Sequence, residues 1–168
     1  LDTSNKQIKK LNITEENFLS TFDELMEQMD EAGVPAEGRT LFCTPTITRV
    51  IKNIKQFGRT VNIHGAGSTI DRSIGRLDEV TIEPAIPSDR MKTLYNFTNG
   101  AKADGTAKQV QFFLIHIPCM AAPQKYEFVG LDQPSASTSG NYLYYEQSYD
   151  DVLLFDQKHE GLAFVISE

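Results

Sequence analysis

Two amphipathic helical patterns that flank one short apolar strand constrain the fold of this chain more than any other feature. The first pattern begins at Thr14, a residue type that favours the N-cap, and ends at Gly33, which favours a helix stop. Its apolar residues recur at the spacing of one helical face: Phe18, Leu19, Phe22, Leu25, Met26 and Met29. A buried strand is predicted over residues 40–43, and Pro45 begins a second helix that ends at Gly58. A strand between two such helices requires helix–sheet packing around one shared core.

The polar faces of the two predicted helices carry opposite charge. The first helix presents five acidic residues: Asp23, Glu24, Glu27, Asp30 and Glu31. The second helix presents three basic residues, Arg49, Lys52 and Lys55, and its buried stripe is Ile47, Val50, Ile51 and Ile54. The acidic face is either a solvated surface or a surface that meets basic residues of a partner subunit. Both interpretations remain open at the level of sequence.

Extended segments predominate after the second helix. Strand propensity and apolar–polar alternation predict strands over residues 60–64, 79–83, 109–117, 125–129, 142–149, 152–155 and 162–166. Residues 109–117 are apolar on both faces, which predicts a central position in the sheet. Turn-forming residues predict a flexible connection over 65–68, a protruding mobile tip over 98–107 and a loop over 133–141. These patterns predict an α+β fold, a mixed α/β domain whose helices pack on mixed β-sheets.

Length, charge and hydropathy argue against several classes of protein. A chain of 168 residues is long enough for one ordinary domain. Its 16 basic and 23 acidic residues give a net charge of −7, which argues against a protein that coats nucleic acid or binds it sequence-specifically. The longest uncharged apolar stretch, residues 110–117, is far shorter than the roughly 20 residues of a membrane helix, so no membrane partner is predicted. The start at Leu1, without a signal-peptide pattern, leads us to expect a piece of a longer protein.

Residues of metal-binding and nucleotide-binding type occur without the spacing that either chemistry needs. His64, His116 and His159 are far apart in the sequence, and no metal-ligand motif connects them. Residues 65–67 (GAG) begin like a dinucleotide fingerprint, but Ile70 stands where the third glycine is needed. A plain loop is therefore the favoured interpretation of this segment.

Candidate nucleophiles and acid–base pairs are equally isolated. Cys43 and Cys119 are interpreted as small buried hydrophobic residues. Glu146, Asp150 and Asp151 are the nearest approach to paired acidic catalysts, yet adjacent strand residues point to opposite faces, which favours an acidic bend between two strands. The sequence therefore predicts no catalytic, cofactor-binding or metal-binding residue, no cofactor and no enzymatic activity.

A cluster of tyrosines stands near the C-terminal end: Tyr142, Tyr144, Tyr145 and Tyr149. Tyrosines on strands are typical of interfaces, because each offers a large apolar area and a hydrogen bond at low entropic cost. The alternative is that they only cover the outside of the sheet.

Six short stretches carry a resemblance to a known family. They are residues 33–42 (GVPAEGRTLF) followed by Thr44-Pro45, 86–91 (IPSDRM), 112–116 (FFLIH), 122–126 (APQKY), 131–135 (LDQPS) and 144–152 (YYEQSYDDV). Together they extend over most of the chain from about residue 14 onward. In this order the stretches resemble the major capsid proteins of tailed phages and prophages, the family with the Hong Kong 97-type fold. None of them is a catalytic motif.

The resemblance implies a structural virion protein, a major capsid subunit that self-assembles into an icosahedral shell around double-stranded DNA. It implies hexamers and pentamers as homo-oligomers of the full-length protein, scaffold and portal proteins as possible further partners, and a location in the virion after assembly in the bacterial host cytoplasm. Residues 1–168 would then be a truncated capsid subunit, covering the axial domain and part of the peripheral domain. The family's N-terminal arm and extended loop have no room before Thr14, and the 98–107 tip and the region of Gly65 become candidate capsomer contacts.

Two alternatives remain. One is a small α/β enzyme or ligand-binding domain whose site is built from scattered residues, which predicts a deep pocket with converging polar groups. The other is a different assembly protein, such as a tail component or a microbial compartment shell. A shell-type protein predicts flat polar sides and protruding loops instead.

Overall fold

The computed structural model describes residues 7–55, 61–64, 67–70, 74–98 and 102–168, and of residues 61–64 and 67–70 only the backbone. In chain order the elements are β1 (Ile8–Lys10), α1 (Phe18–Glu31), β2 (Arg39–Cys43), α2 (Pro45–Asn53), β3 (Val61–His64), β4 (Gly67–Ile70), β5 (Arg76–Leu77), β6 (Val80–Ile82), β7 (Tyr95–Asn96), β8 (Lys102–Ala103), β9 (Val110–His116), β10 (Met120–Ala121), β11 (Gln124–Asp132), β12 (Leu143–Asp150), β13 (Leu153–Leu154) and β14 (Leu162–Ile166). Short 3₁₀ turns cover Ser88–Arg90, Ile117–Cys119 and Asp156–Gly161. The chain divides into two compact units: unit 1 contains the residues up to 117 together with 159–168, and unit 2 contains residues 118–158.

Unit 1 is built on a six-stranded mixed sheet in the order β1-β14-β9-β2-β6-β5. The central strand β9 pairs antiparallel with both β14 and β2, whereas the β1–β14 and β2–β6 pairs are parallel. This arrangement confirms the central position predicted for residues 109–117 and the mixed character of the sheet. Burial of β9 on both faces explains its apolar composition, since Phe112 and Leu114 are fully buried and Phe113 is half-buried.

Both helices share one buried cluster with the sheet, as predicted. The cluster joins side chains of α1, α2 and five strands: Phe18, Phe22, Leu25, Met29, Leu41, Cys43, Ile47, Ile51, Ile54, Leu77, Val80, Phe112, Leu114, Ala163 and Val165. On the other face of the sheet, Phe42, Phe113 and Phe164 form a row across β2, β9 and β14. Their ring centroids lie 5.0 Å apart for Phe42–Phe113 and 5.5 Å apart for Phe113–Phe164.

Helix α1 ends where the sequence predicts but begins later. The amides of Gly33 and Val34 donate to the carbonyls of Asp30 and Met29, and Gly33 has φ of 72°, which is a Schellman stop. The predicted start at Thr14 is wrong, because the helix begins at Phe18 after the N-cap residue Asn17. Asn17 Oδ1 accepts from the Thr14 amide at 2.7 Å and Nδ2 donates to the Asn12 carbonyl at 3.0 Å, so residues before the helix form a side-chain-closed turn.

Helix α2 is shorter than predicted. It begins at Pro45, as expected, but it ends at Asn53 rather than at Gly58, which lies outside the described residues. Ile54 has φ of −58° and ψ of 122°, and its side chain is buried in the core shared with α1. The chain therefore leaves the helix at Ile54, and the side chain of Ile54 is still buried, as predicted.

Most predicted strands are present, and four differences stand out. The prediction of a connection over residues 65–68 is wrong at residues 67 and 68, which begin β4 in an antiparallel pair with β3; residues 65 and 66 lie outside the described part. Strand β1 was not predicted, because three residues with two lysines carry no alternation signal. The tip predicted over 98–107 contains β8, which pairs with β7, and residues 99–101 are not described. The strand predicted over 142–149 is confirmed with its bounds displaced by one residue.

Candidate functional site

The residues of metal-ligating type lie apart. His116 is at the end of β9 and His159 is in a 3₁₀ turn, while the side chain of His64 lies outside the described part of the chain. Within the described ranges, no group of three His, Cys, Asp or Glu side chains is placed to hold a metal ion.

The three acidic residues weighed as acid–base candidates lie on or just after an exposed strand. Glu146 and Asp150 are four residues apart on β12, which separates them by about 13 Å along an extended chain. Glu146 Oε2 accepts a hydrogen bond from the Tyr144 hydroxyl at 2.9 Å, and this bond raises the pKa of Tyr144. Asp151 Oδ1 accepts from the Val152 amide at 2.8 Å. The strand thus holds Glu146 and Asp150 too far apart to act as one carboxylate pair.

Both cysteines are buried, as predicted. Cys43 is in the core of unit 1, with Sγ 3.2 Å from Thr48 Oγ1, and Cys119 is in unit 2. Burial is the main cause that raises the pKa of each thiol. Both side chains therefore favour the neutral thiol over the reactive thiolate.

Charged side chains of the two helices line open grooves on the surface of unit 1, with the signs that the sequence predicts. The acidic residues of α1 are exposed, and Asp23, Glu27, Asp30 and Asp78 line one groove. A second groove beside α2 is lined by Thr48, Arg49 and Lys52 among others. Two of the α1 carboxylates have partners within unit 1, since Lys9 pairs with Glu24 and Arg39 pairs with Asp30.

Unit 2 contains the most unusual surface of the described chain. Strands β11 and β12 form a two-stranded antiparallel sheet of their own, in which Tyr126 lies opposite Tyr149, Phe128 opposite Gln147 and Gly130 opposite Tyr145. Because these pairs alternate with Glu127–Ser148, Val129–Glu146 and Leu131–Tyr144, the two faces of the sheet differ. We call the sheet formed by Gln124–Asp132 and Leu143–Asp150 the ribbon, and its face with Tyr126 and Phe128 the aromatic face.

The aromatic face holds four rings in contact. Tyr126 lies 5.9 Å from Tyr149 and 6.4 Å from Phe128, and Phe128 lies 5.7 Å from Tyr145, measured between ring centroids. The Tyr145 ring covers Gly130, where a Cβ atom would overlap it. The glycine therefore lets the fourth ring approach the strand backbone closely.

All four rings are exposed. Their exposed fractions are 43% for Tyr126, 43% for Phe128, 41% for Tyr145 and 57% for Tyr149. The predicted tyrosine cluster is thus divided, with Tyr145 and Tyr149 on the aromatic face and Tyr144 on the opposite face. A contiguous exposed apolar surface of this kind is typical of an interaction site.

A second exposed apolar surface lies on unit 1. Residues 88–98 and 102–108, which we call the arm, contain the β7–β8 pair and expose 51% of Leu94 and 74% of Phe97. Hydrogen bonds support it: the Tyr95 hydroxyl donates to the Asp89 carbonyl and accepts from the Lys92 amide, both at 3.0 Å. The Asp104 carboxylate accepts two hydrogen bonds from Thr106, which lower the pKa of Asp104. The sequence predicted a tip over residues 98–107, but it gave no sign that Leu94 and Phe97, just before that tip, are exposed.

The described part of the chain combines a mixed sheet, two helices and exposed apolar extensions. The fold is similar to a chain in the capsid structure of the cyanophage P-SCSP1u, with a TM-score of 0.59 and 13% sequence identity. The similarity covers 93% of this chain and 47% of that chain, so this chain spans about half the length of its structural neighbour. No protein-family model matches the chain, and no curated protein sequence matches it significantly. Among the described helices, none is long and apolar enough to cross a membrane.

Proposed function

We propose that the chain is part of a structural virion protein, a major capsid subunit of the Hong Kong 97 type that self-assembles into an icosahedral shell around double-stranded DNA. The observation that carries this proposal is the similarity of fold to a phage capsid chain over 93% of the sequence. We further propose that the chain covers the axial domain and part of the peripheral domain of one subunit, without the N-terminal arm and the extended loop; a match to 47% of the capsid chain is compatible with part of a subunit.

Surface chemistry supports the same proposal. A net charge of −7 suits a wall that surrounds DNA without binding it tightly, because like charges keep the nucleic acid from adhering. The exposed rings of the ribbon and the exposed Leu94 and Phe97 of the arm need covering by other protein surfaces, which repeated copies of one subunit supply.

The proposal includes a location and partners. We place the protein in the virion after assembly in the cytoplasm of a bacterial host. Its main partners are further copies of itself, arranged as hexamers and pentamers, and scaffold and portal proteins are candidates for additional contacts. An enzymatic role forms no part of the proposal.

Electron microscopy tests the proposal directly. The longer protein that carries this chain is expressed alone and together with the neighbouring gene products, then imaged after purification. We expect ring-shaped capsomers or closed shells. Particles that remain monomeric at high protein concentration in both preparations would contradict the proposed function.

A further inference from the structure

We propose that the aromatic face of the ribbon in one copy of the chain docks, head to tail, on the arm of a second copy. The inference rests on the proposed function in one respect, namely that copies of the chain assemble with one another. It goes further by naming the two surfaces that meet.

In the described part of the chain, the aromatic face of the ribbon is exposed. A two-stranded antiparallel sheet is only marginally stable in water unless another element packs on it. Here the row Tyr149, Tyr126, Phe128 and Tyr145 places four rings side by side on one face, each more than 40% exposed. The aromatic face is therefore a preformed surface for a partner, with rings already oriented by their mutual contacts.

The charges around this face are acidic. Unit 2, residues 118–158, contains two lysines and six acidic residues. Asp132 lies beyond one end of the aromatic row and on the same face, opposite Leu143, and Asp151 follows β12 beyond the other end. Both are exposed, which gives the apolar centre a negatively charged rim.

The arm has the complementary character. Its described residues include four basic ones, Arg90, Lys92, Lys102 and Lys108, against the two acidic residues Asp89 and Asp104. At its centre Phe97 is 74% exposed and lies 6.3 Å from the Tyr95 ring. The backbone is held by the β7–β8 pair and by the Asp104 amide, which donates to the Leu94 carbonyl at 3.2 Å.

The aromatic face and the arm are complementary in both apolar area and charge. We therefore expect the partner that binds the aromatic face to be a second copy of the chain. The two surfaces are different parts of one chain, so their contact between copies is heterologous and closes into a ring when the rotation permits. Electrostatic attraction fixes the orientation, and the rings supply most of the buried area.

The expected strength follows from the size of the surface. Four rings of about 150–250 Å² each, roughly half exposed, offer on the order of 400 Å², below the roughly 800 Å² per partner of a stable independent complex. A single contact of this kind is therefore weak, and a closed ring multiplies it. Measurements on the isolated 168-residue chain accordingly need high protein concentrations.

The test exchanges the charges of the two surfaces. One variant carries Asp132→Lys and Asp151→Lys on the ribbon, and the other carries Lys102→Glu and Lys108→Glu on the arm. Sedimentation velocity at low salt measures self-association of each variant, of their mixture and of a chain with all four changes. We expect self-association to weaken about tenfold in each variant and to recover both in the mixture and in the fourfold variant.

The mixture distinguishes a contact between copies from one within a chain. Recovery in the fourfold variant without recovery in the mixture would show that the two surfaces meet inside one chain, and this overturns the proposal. Unchanged self-association of both charge variants also overturns it. If shells form by electron microscopy while these variants assemble normally, the inference fails and the proposed function stands.

A matched pair of ring substitutions tests the aromatic face separately. Tyr149→Ser removes an exposed ring from the aromatic face, and Tyr144→Ser removes a ring of similar exposure from the opposite face of the same strand. We expect association to weaken about tenfold for Tyr149→Ser and to stay unchanged for Tyr144→Ser. Near-ultraviolet circular dichroism checks that both variants keep the native fold, and equal effects of the two substitutions would contradict the proposed face.

Discussion

Arg39, the first residue of β2, donates a hydrogen bond from Nη2 to Oδ1 of Asp30 in the last turn of α1, at 2.6 Å. Arg39 is only 1% exposed, and its guanidinium also donates to the carbonyls of Val34 and Pro35. One side chain thus supplies hydrogen-bond donors to two carbonyls of the loop that connects α1 to β2. Its charge is matched by a carboxylate whose other side faces water, since the Asp30 side chain is 63% exposed.

We expect Arg39→Met to lower the free energy of unfolding by about 3 kcal/mol, because it removes the guanidinium donors that bind the Asp30 carboxylate and the carbonyls of Val34 and Pro35. Urea denaturation followed by circular dichroism measures the change. Arg76→Met is the matched control, since Arg76 is exposed and its hydrogen bond from Nη2 to the Glu79 carbonyl is long, at 3.5 Å. Equal losses in the two variants would contradict the role assigned to Arg39.

Gln111 holds the segment before α1 against the sheet. It is buried at an irregularity of β9, where Oε1 accepts from the Ile13 amide at 2.9 Å and Nε2 donates to the Leu11 carbonyl. Gln111→Leu leaves both backbone groups unpaired, so we expect a loss of about 1–3 kcal/mol in unfolding free energy and faster hydrogen exchange at the Ile13 amide. Gln133→Leu, in an exposed loop, is the control. Unchanged exchange at Ile13 would refute this assignment.

Gly130→Ala should rearrange the aromatic face with little effect on stability. The added Cβ overlaps the Tyr145 ring, which is exposed on one side and swings outward, so we expect a change below about 1 kcal/mol. The contact between Phe128 and Tyr145 is then lost, and the ring-current shifts of both residues in NMR spectra change. Gly105→Ala is the control, because nothing lies within 4 Å of a Cβ at that position. Ring signals that stay in place in Gly130→Ala would show that the ring does not cover the glycine.

Burial of Cys43 is expected to make the free energy of unfolding fall as the pH rises into the alkaline range. Because burial raises the pKa of the Cys43 thiol in the folded chain, the unfolded chain loses this proton first as pH rises. The contribution to stability is complete below about pH 8.5, the thiol's unfolded value, and is lost as pH rises toward the higher folded pKa. Denaturation at pH 8 and pH 10 should therefore show a smaller alkaline loss in Cys43→Ala than in the unchanged chain. An equal loss in both would contradict this assignment, and Cys119→Ala measures the share of the second buried thiol.

Sequence patterns predicted the helix and strand boundaries best where tertiary packing favours the same boundary as the neighbouring residues do. The Schellman stop at Gly33, the start of α2 at Pro45 and the strand Leu162–Ile166 all follow from short-range chemistry. The predicted start of α1 at Thr14 failed because the Asn17 side chain binds the backbone of Thr14 and Asn12 and closes a turn ahead of the helix, which begins at Phe18. The predicted end of α2 failed because the backbone turns out of the helix at Ile54, a change that no local signal before Gly58 marks.

The candidate surfaces were only partly accessible from sequence. The tyrosine cluster predicted either an interface or a set of side chains that covers the outside of the sheet. Its division between two faces depends on the register between β11 and β12, which sets Tyr126 opposite Tyr149. Leu94 and Phe97 carry no distinguishing pattern, since an isolated apolar residue in a loop is as often buried as exposed. The burial of Arg39 could not be predicted from the sequence either, because its hydrogen-bond partners are a carboxylate on α1 and backbone carbonyls.

By itself the sequence determined the mixed α/β class, the central position of residues 109–117, the sharing of one core by both helices, and the opposite charges of their outer faces. These properties depend on periodicity and composition, which act over a few residues. Only the tertiary structure decided which apolar side chains stay exposed, where β1 pairs, and how the ribbon orients its rings. Those outcomes depend on contacts between residues far apart in the chain, and burial at such contacts outweighs local preference in free energy.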